Sequence, residues 1–310
     1  MNNRVKGYIC GIIAAVSYGT NPLGALSLSA AGINVNSVLF YRYALAVVIL
    51  GAILAMDKQS FKVSRHELGL LGLLGVLFSL SSCALYMSFN HMDAGVASTL
   101  LFTYPVMVAV LMAIFFKERI TGATVLSILL ALSGVCLLYK GDGGVTLSTV
   151  GVLLVLVSSL SYAVYIIIVN RTALHMSSMK MTFYVLLFGL VTVWFVSLFS
   201  GNGRIEWLTT PSEWFYATLL AVLPTVISLI FMNISIAAIG STPAAIMGAL
   251  EPLTAVVIGV TVFGEAFTTR LAVGIVIILS AVLLIIAGKS FSPRHAFSRL
   301  THAFARHGRN

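Results

Sequence analysis

Ten runs of about membrane-spanning length follow one another along the chain, near residues 7–28, 35–56, 68–89, 95–116, 122–139, 149–169, 181–200, 214–238, 243–263 and 271–288. A helix needs about 20 mostly apolar residues to cross roughly 30 Å of hydrocarbon. No stretch between the runs is long and polar enough to form a soluble domain. Only 9% of the residues are charged and 59% are hydrophobic, where a soluble domain carries about 25% charged residues. The expected fold class is therefore an all-α integral membrane protein of about ten transmembrane helices. The first run is full-length and lacks a clear cleavage site, so it is expected to stay as an uncleaved first span. Cys10, Cys83 and Cys136 fall inside runs, lack metal-ligand spacing, and read as small packing residues.

The placement of basic residues sets an orientation. With the N-terminus inside and the runs alternating, 14 of the 18 Lys and Arg fall inside. Lys140, Arg204 and Arg270 fall outside, and Arg42 lies within the second run. This bias predicts that both termini face the cytoplasm, in a bacterial cytoplasmic membrane. The net charge of +9 thus speaks of topology and not of nucleic acid. In the basic tail, residues 290–310, Phe297, Leu300 and Phe304 share one helical face. The tail is either a short amphipathic helix on anionic lipid or a disordered basic segment. No phosphate-binding loop is present, so no nucleotide cofactor and no self-contained ATP-driven pump is expected.

The chain also repeats itself. Residues 99–121 read TLLFTYPVMVAVLMAIFFKERIT and residues 246–268 read IMGALEPLTAVVIGVTVFGEAFT. A gapless shift of 147 aligns Pro105 with Pro252, Glu118 with Glu265 and Thr121 with Thr268. Near the start of each half, a shift of 144 aligns Gly7 with Gly151 and Ser17-Tyr18 with Ser161-Tyr162. Two related five-helix halves follow, 1–140 and 141–289. Five is odd, so the second half crosses the membrane in the opposite sense. Inverted repeats of this kind build alternating-access carriers with a midplane site between the halves.

These features resemble the EamA-type family of the drug/metabolite transporter superfamily. The resemblance rests on the ten spans, the duplication, the Pro/Glu register in both halves, the Glu251-Pro252 pair and an arginine in the second span. It covers nearly the whole chain to about residue 289. It implies a non-enzymatic transporter of small metabolites, with many members exporting amino acids and their derivatives and some importing.

Ionisable groups inside spans are costly and tend to face a cavity or one another. Arg42 and Glu251 are the clear cases. Glu251 reads as a proton-coupling or substrate-contacting carboxylate, or as a fixed partner of Arg42 or a helix end. Arg42 reads as a ligand for an anionic substrate group, a partner of Glu251, or a side chain that snorkels outward. Tyr104 is the repeat counterpart of Glu251. Ser17, Thr20, Asn21 and Gly24 form one helical stripe, as do Ser158, Ser161, Tyr162 and Tyr165. Ser79, Ser82 and Tyr86 align in the third run. With Tyr18, Tyr41 and Asn233, these residues are the candidates to line a cavity. Hydrogen bonding between packed helices is the alternative use of the hydroxyls. Pro22, Pro105, Pro224 and Pro252 are candidate hinges, because each frees a backbone carbonyl. Glu118 and Glu265 read as turn residues, and Asn90, His91 and Asp93 as a solvated outer turn.

The expectation is a secondary exporter of amino acids or related metabolites. Its partners are a small-molecule substrate, membrane lipid and a proton. The alternative is an importer or facilitator of nucleobases or other small solutes, or a non-transport membrane protein. An intramembrane enzyme would need facing acids, a metal set or an activated nucleophile, and the single clear membrane carboxylate supplies none of these.

Overall fold

The computed structural model describes residues 3–117, 122–139, 148–172, 176–199, 204–239, 244 and 247–290. Glu118, Thr121, Lys140 and the basic tail fall outside them. The described residues form ten helical spans. The first is Asn3–Gly19 plus Asn21–Ala30, the second Val35–Met56, the third Arg65–Ser88 and the fourth Ala94–Leu101 plus Tyr104–Phe116. The fifth is Gly122–Tyr139, the sixth Thr149–Arg171 and the seventh Ser178–Phe199. The eighth runs Pro211–Ala221, a π-helical segment Val222–Ile227, and Ser228–Ile239. The ninth is Leu250–Phe263 and the tenth Thr269–Ser290. Seven are long and apolar enough to cross a membrane, and three more are shorter apolar helices.

The third and eighth spans start three residues earlier than hydropathy suggests, for one reason. Ser64 accepts from the Glu67 amide while the Glu67 carboxylate accepts from the Ser64 amide, a reciprocal cap that adds a polar first turn. Thr210 and Glu213 do the same before the eighth span.

The first, fourth and eighth spans are interrupted and the ninth starts after a turn at Gly248–Ala249, each at a membrane proline. Proline has no N–H, so the carbonyl four residues earlier loses its helical donor. Each orphaned carbonyl has found another. For Pro22 it is Tyr18 O, which accepts from Asn21 Nδ2 at 2.9 Å. For Pro105 it is Leu101 O, taken by Ser159 Oγ of the sixth span at 3.2 Å. For Pro224 it is Leu220 O, taken by Thr225 Oγ1 at 3.0 Å beside the π-helical segment. For Pro252 it is Gly248 O, taken by the Glu251 amide at 2.9 Å. Broken backbone is tolerated at membrane depth only where such replacements exist.

Packing follows a pseudo-two-fold. The first span packs on the eighth and the third on the sixth. The second packs on the seventh, the fourth on the ninth and the fifth on the tenth. Exchanging the halves turns the first pair of contacts into the second and each of the others into itself. The register is residue-deep. Gly7 abuts Ala238 and Ile239, and Gly151 abuts His91 and Met92. The two glycines are 144 apart and their neighbours 147 apart, the same two shifts read from the repeat.

The outside of the bundle is apolar and its inside partly polar. Val48, Ile114, Phe115 and Val276 are exposed, while Ser37, Ser88, Thr99, Ser158 and Ser159 are buried. That arrangement suits lipid as the surrounding solvent.

The third and seventh spans pack closely at Gly75. A Cβ there would sit 2.5 Å from Phe188 Cβ and 2.9 Å from the Val185 carbonyl oxygen, which is backbone and cannot rotate away. Gly75→Val should therefore destabilise the fold by about 1–3 kcal/mol, the usual cost of overpacking. Gly69→Ala on the same helix meets nothing within 4 Å and should leave thermal unfolding in detergent no lower than wild type, since Ala is the better helix former.

Candidate functional site

The breaks of the first and fourth spans and the start of the ninth line one cavity of about 120 Å³, which the eighth span reaches just beyond its π-helical segment. The first span contributes Tyr18, Asn21 and Pro22, and the fourth Ser98, Phe102 and Tyr104. The sixth contributes Tyr162, the eighth Ser228 and Met232, and the ninth Glu251 and Pro252. Both halves therefore line it. Tyr104 and Glu251, repeat counterparts, face the same space.

Glu251 is the one charged residue among those lining the cavity. Its position follows from the ninth span's start, where the turn at Gly248–Ala249 leads directly into Leu250–Phe263. An aromatic wall stands beside it. The Tyr104 and Tyr162 rings meet edge to face at 4.8 Å, Phe102 meets Tyr104 at 5.8 Å, and Tyr165 stacks behind Tyr162 at 5.7 Å.

Arg42 is buried, at 3% exposure, and does not snorkel. Its Nη1 donates to the Tyr86 hydroxyl at 2.7 Å and its Nε to Thr225 Oγ1 at 3.0 Å. The Tyr86 hydroxyl donates onward to Asn21 Oδ1 at 3.0 Å. Thr225 can accept from Arg42 because its own proton is committed to the carbonyl freed by Pro224. Arg42 thus ties the second, third and eighth spans together and, through Tyr86, the broken first span. Among the described residues no ion pair joins Arg42 to Glu251. Tyr18 shares the cavity wall with Glu251.

The sequence candidates sort as follows. Tyr18, Asn21, Tyr104, Tyr162 and Glu251 line the cavity, with Pro22 and Pro252. Arg42 and Tyr86 stand behind Asn21, and Tyr165 stands behind Tyr162. Ser17 and Ser82 are buried away from it. Tyr41 is elsewhere, its hydroxyl donating to Glu206 O at 3.1 Å and its ring against Trp214. Asn233 is half-buried on the eighth span and does not reach the cavity. Pro105 and Pro224 mark breaks without lining it. Thr225, Ser228 and Met232 were not anticipated, and the Pro224-Thr225 pair was the available signal. Among the described residues no set of three or more His, Cys, Asp or Glu gathers as a metal site.

A second polar cluster joins the halves at a span end. Glu265, in the connection after the ninth span, accepts the Ala94 amide at 2.7 Å and the Gly95 amide at 3.0 Å. It therefore caps the fourth span, as a carboxylate at a helix N-terminus does. An open hollow beside it is lined by Asn90, His91, Asp93 and Glu265. Burial pushes the Glu265 carboxyl above its ordinary range, the two amides pull it down by less, and the Asp93 charge raises it further. Burial raises Asp93 as well.

Unwound helix ends from two symmetry-related halves, meeting at one buried cavity, are how membrane carriers hold a solute at mid-depth, and this protein is of that class, a membrane transporter. It belongs to the EamA-like transporter family, whose model matches it twice, over residues 5–140 and 149–287. An uncharacterised transporter of Clostridium kluyveri is 23% identical over 300 residues, covering 88% of this chain and 91% of the relative. One from Archaeoglobus fulgidus is 29% identical, covering 72% of this chain and 77% of its own. A solved crystal structure at 19% identity superposes with a TM-score of 0.65 over 93% of this chain and 100% of the other, which shows a shared fold.

Proposed function

We propose that the protein is a secondary transporter that exports amino acids or related small metabolites by alternating access, with Glu251 carrying the coupling proton. The observation that supports this most directly is that spans of both halves, at or next to their proline sites, line one cavity whose one charged lining residue is Glu251. Rocking of the halves about these sites would expose that carboxylate to each side in turn. A dry cavity favours its protonated form and a wet one its charged form. The bias of basic residues toward the inner connections supports a reading with both termini in the cytoplasm of a bacterial cell, and export is the direction the family resemblance implies.

The test is transport in proteoliposomes, using labelled amino acids and nucleobases with and without a pH gradient. Gradient-driven movement of an amino acid should exceed that in empty vesicles. Glu251→Gln should bring it down to the empty-vesicle level. Wild-type rates with unchanged pH dependence in Glu251→Gln would remove the coupling role.

A further inference from the structure

Resting on that reading, we propose that the cavity recognises its substrate by an ammonium group, held by Glu251 and the rings of Tyr18, Tyr104 and Tyr162, and not by a carboxylate on Arg42. Three observations carry this. Arg42 does not line the cavity, and Tyr86 and Thr225 hold its Nη1 and Nε. Tyr86 in turn donates to Asn21, which does line the cavity. A carboxylate entering the cavity would thus find no guanidinium on its walls, and would meet a like charge there whenever Glu251 is ionised. The carboxylate of Glu251, conversely, has no cationic partner among the described residues. A buried unpaired charge is costly, and an entering cation relieves that cost. The aromatic faces add to the selection. Tyr104 and Tyr162 meet edge to face at 4.8 Å on the wall of the cavity that also carries Glu251. Aromatic faces beside a carboxylate attract organic cations through the ring quadrupole.

The substrate class that follows is a small organic amine or a zwitterion read through its amino end. An amino acid qualifies by its ammonium group, and its decarboxylated amine should serve as well or better. A proton and an ammonium group then compete for one carboxylate, which makes their movements opposite in sense.

Three probes that share a ring and differ at the head test this on the wild-type protein: 2-phenylethylamine, 2-phenylethanol and phenylacetate. Binding to the purified full chain is measured by calorimetry at one pH. The amine should bind about tenfold tighter than the alcohol, from ion pairing and cation–π attraction together, and phenylacetate should bind most weakly. Glu251→Gln should erase the difference between amine and alcohol. Tyr162→Phe should keep it, because the ring face remains, and Tyr162→Leu should reduce it. Phenylacetate binding as tightly as the amine, or no binding by the amine, would overturn the assignment. Counterflow of the labelled amine separates the two claims. Selective binding without counterflow would refute the transport reading and leave the ammonium site standing. Counterflow of phenylacetate but not the amine would do the reverse.

Discussion

Arg42→Ala should cost about 2–4 kcal/mol of stability and most of the transport rate. Hydrogen bonds to a charged group contribute about 1.5–3 kcal/mol each, and Arg42 makes two to buried hydroxyls. Part of that loss is offset, because the mutant no longer buries a guanidinium. The hydroxyls themselves stay partly satisfied, since Tyr86 still donates to Asn21 and Thr225 to Leu220 O. The fold should therefore survive, with a lowered unfolding temperature in detergent. Transport should suffer more. Arg42 is what holds Tyr86, and through it Asn21, against the second and eighth spans at the level of the helix breaks. Arg42→Lys keeps the charge but not the planar fork that reaches both hydroxyls. It should fold nearly as well as wild type and transport nearly as poorly as Arg42→Ala. The checks are thermal unfolding and counterflow in proteoliposomes on the same preparations. Intact counterflow in either variant would make Arg42 a structural residue only.

The ten spans were legible because hydropathy alone places them, and the two-fold because Pro and Glu keep a constant register in both halves. The breaks were legible from the prolines, since a missing N–H must disturb a helix wherever it falls. The side chains that repair the breaks were less so. Asn21 and Thr225 lie within a few residues of their prolines, but Ser159 serves a carbonyl 58 positions away. The stripe of Ser17, Thr20, Asn21 and Gly24 assumes one continuous helix. The chain breaks at Thr20, whose hydroxyl turns back to Ser17 O at 2.6 Å. The stripe therefore does not face one way, and Tyr18, off the stripe, lines the cavity where Ser17 does not. In the unbroken sixth span Ser158 is spent on the third span, bonding Ser81 at 2.7 Å, while Tyr162 from the same stripe reaches the cavity. For Arg42, depth could be read but partners could not, because they sit 44 and 183 positions away. Tyr41, its neighbour in sequence, points to a different part of the molecule.

Glu265→Gln should loosen the junction between the ninth and fourth spans and open the cavity toward the side that carries the 264–268 connection. The sequence reading of Glu265 as a turn residue is incomplete. The residue does sit in a turn, yet its carboxylate holds two amides 170 and 171 positions away in the other half. Room for it is made by Gly259, where a Cβ would lie 2.0 Å from Oε2. Glutamine keeps one acceptor and turns an NH₂ toward an amide N–H, so one of the two bonds is lost and two donors meet. Gly259→Ala should act in the same direction by displacing the carboxylate. The readout is labelling of a cysteine placed at Ser98, which lines the cavity, in a background without Cys10, Cys83 and Cys136. A membrane-impermeant thiol reagent applied from that side should label Glu265→Gln and Gly259→Ala faster than the parent. Acid should do the same to the parent. Because the Glu265 carboxyl is raised above its ordinary value, the two-amide clasp is complete above that raised pKa and weakens as pH falls through it. Folding stability runs the other way for a raised carboxyl, being greatest below its unfolded pKa and declining as pH rises through the folded one, so faster labelling in acid would not reflect unfolding at this residue. Glu265→Gln should lose the pH dependence and Asp93→Asn should keep it. Labelling unchanged by all three perturbations would mean that this junction is shared by every state of the carrier and is no gate.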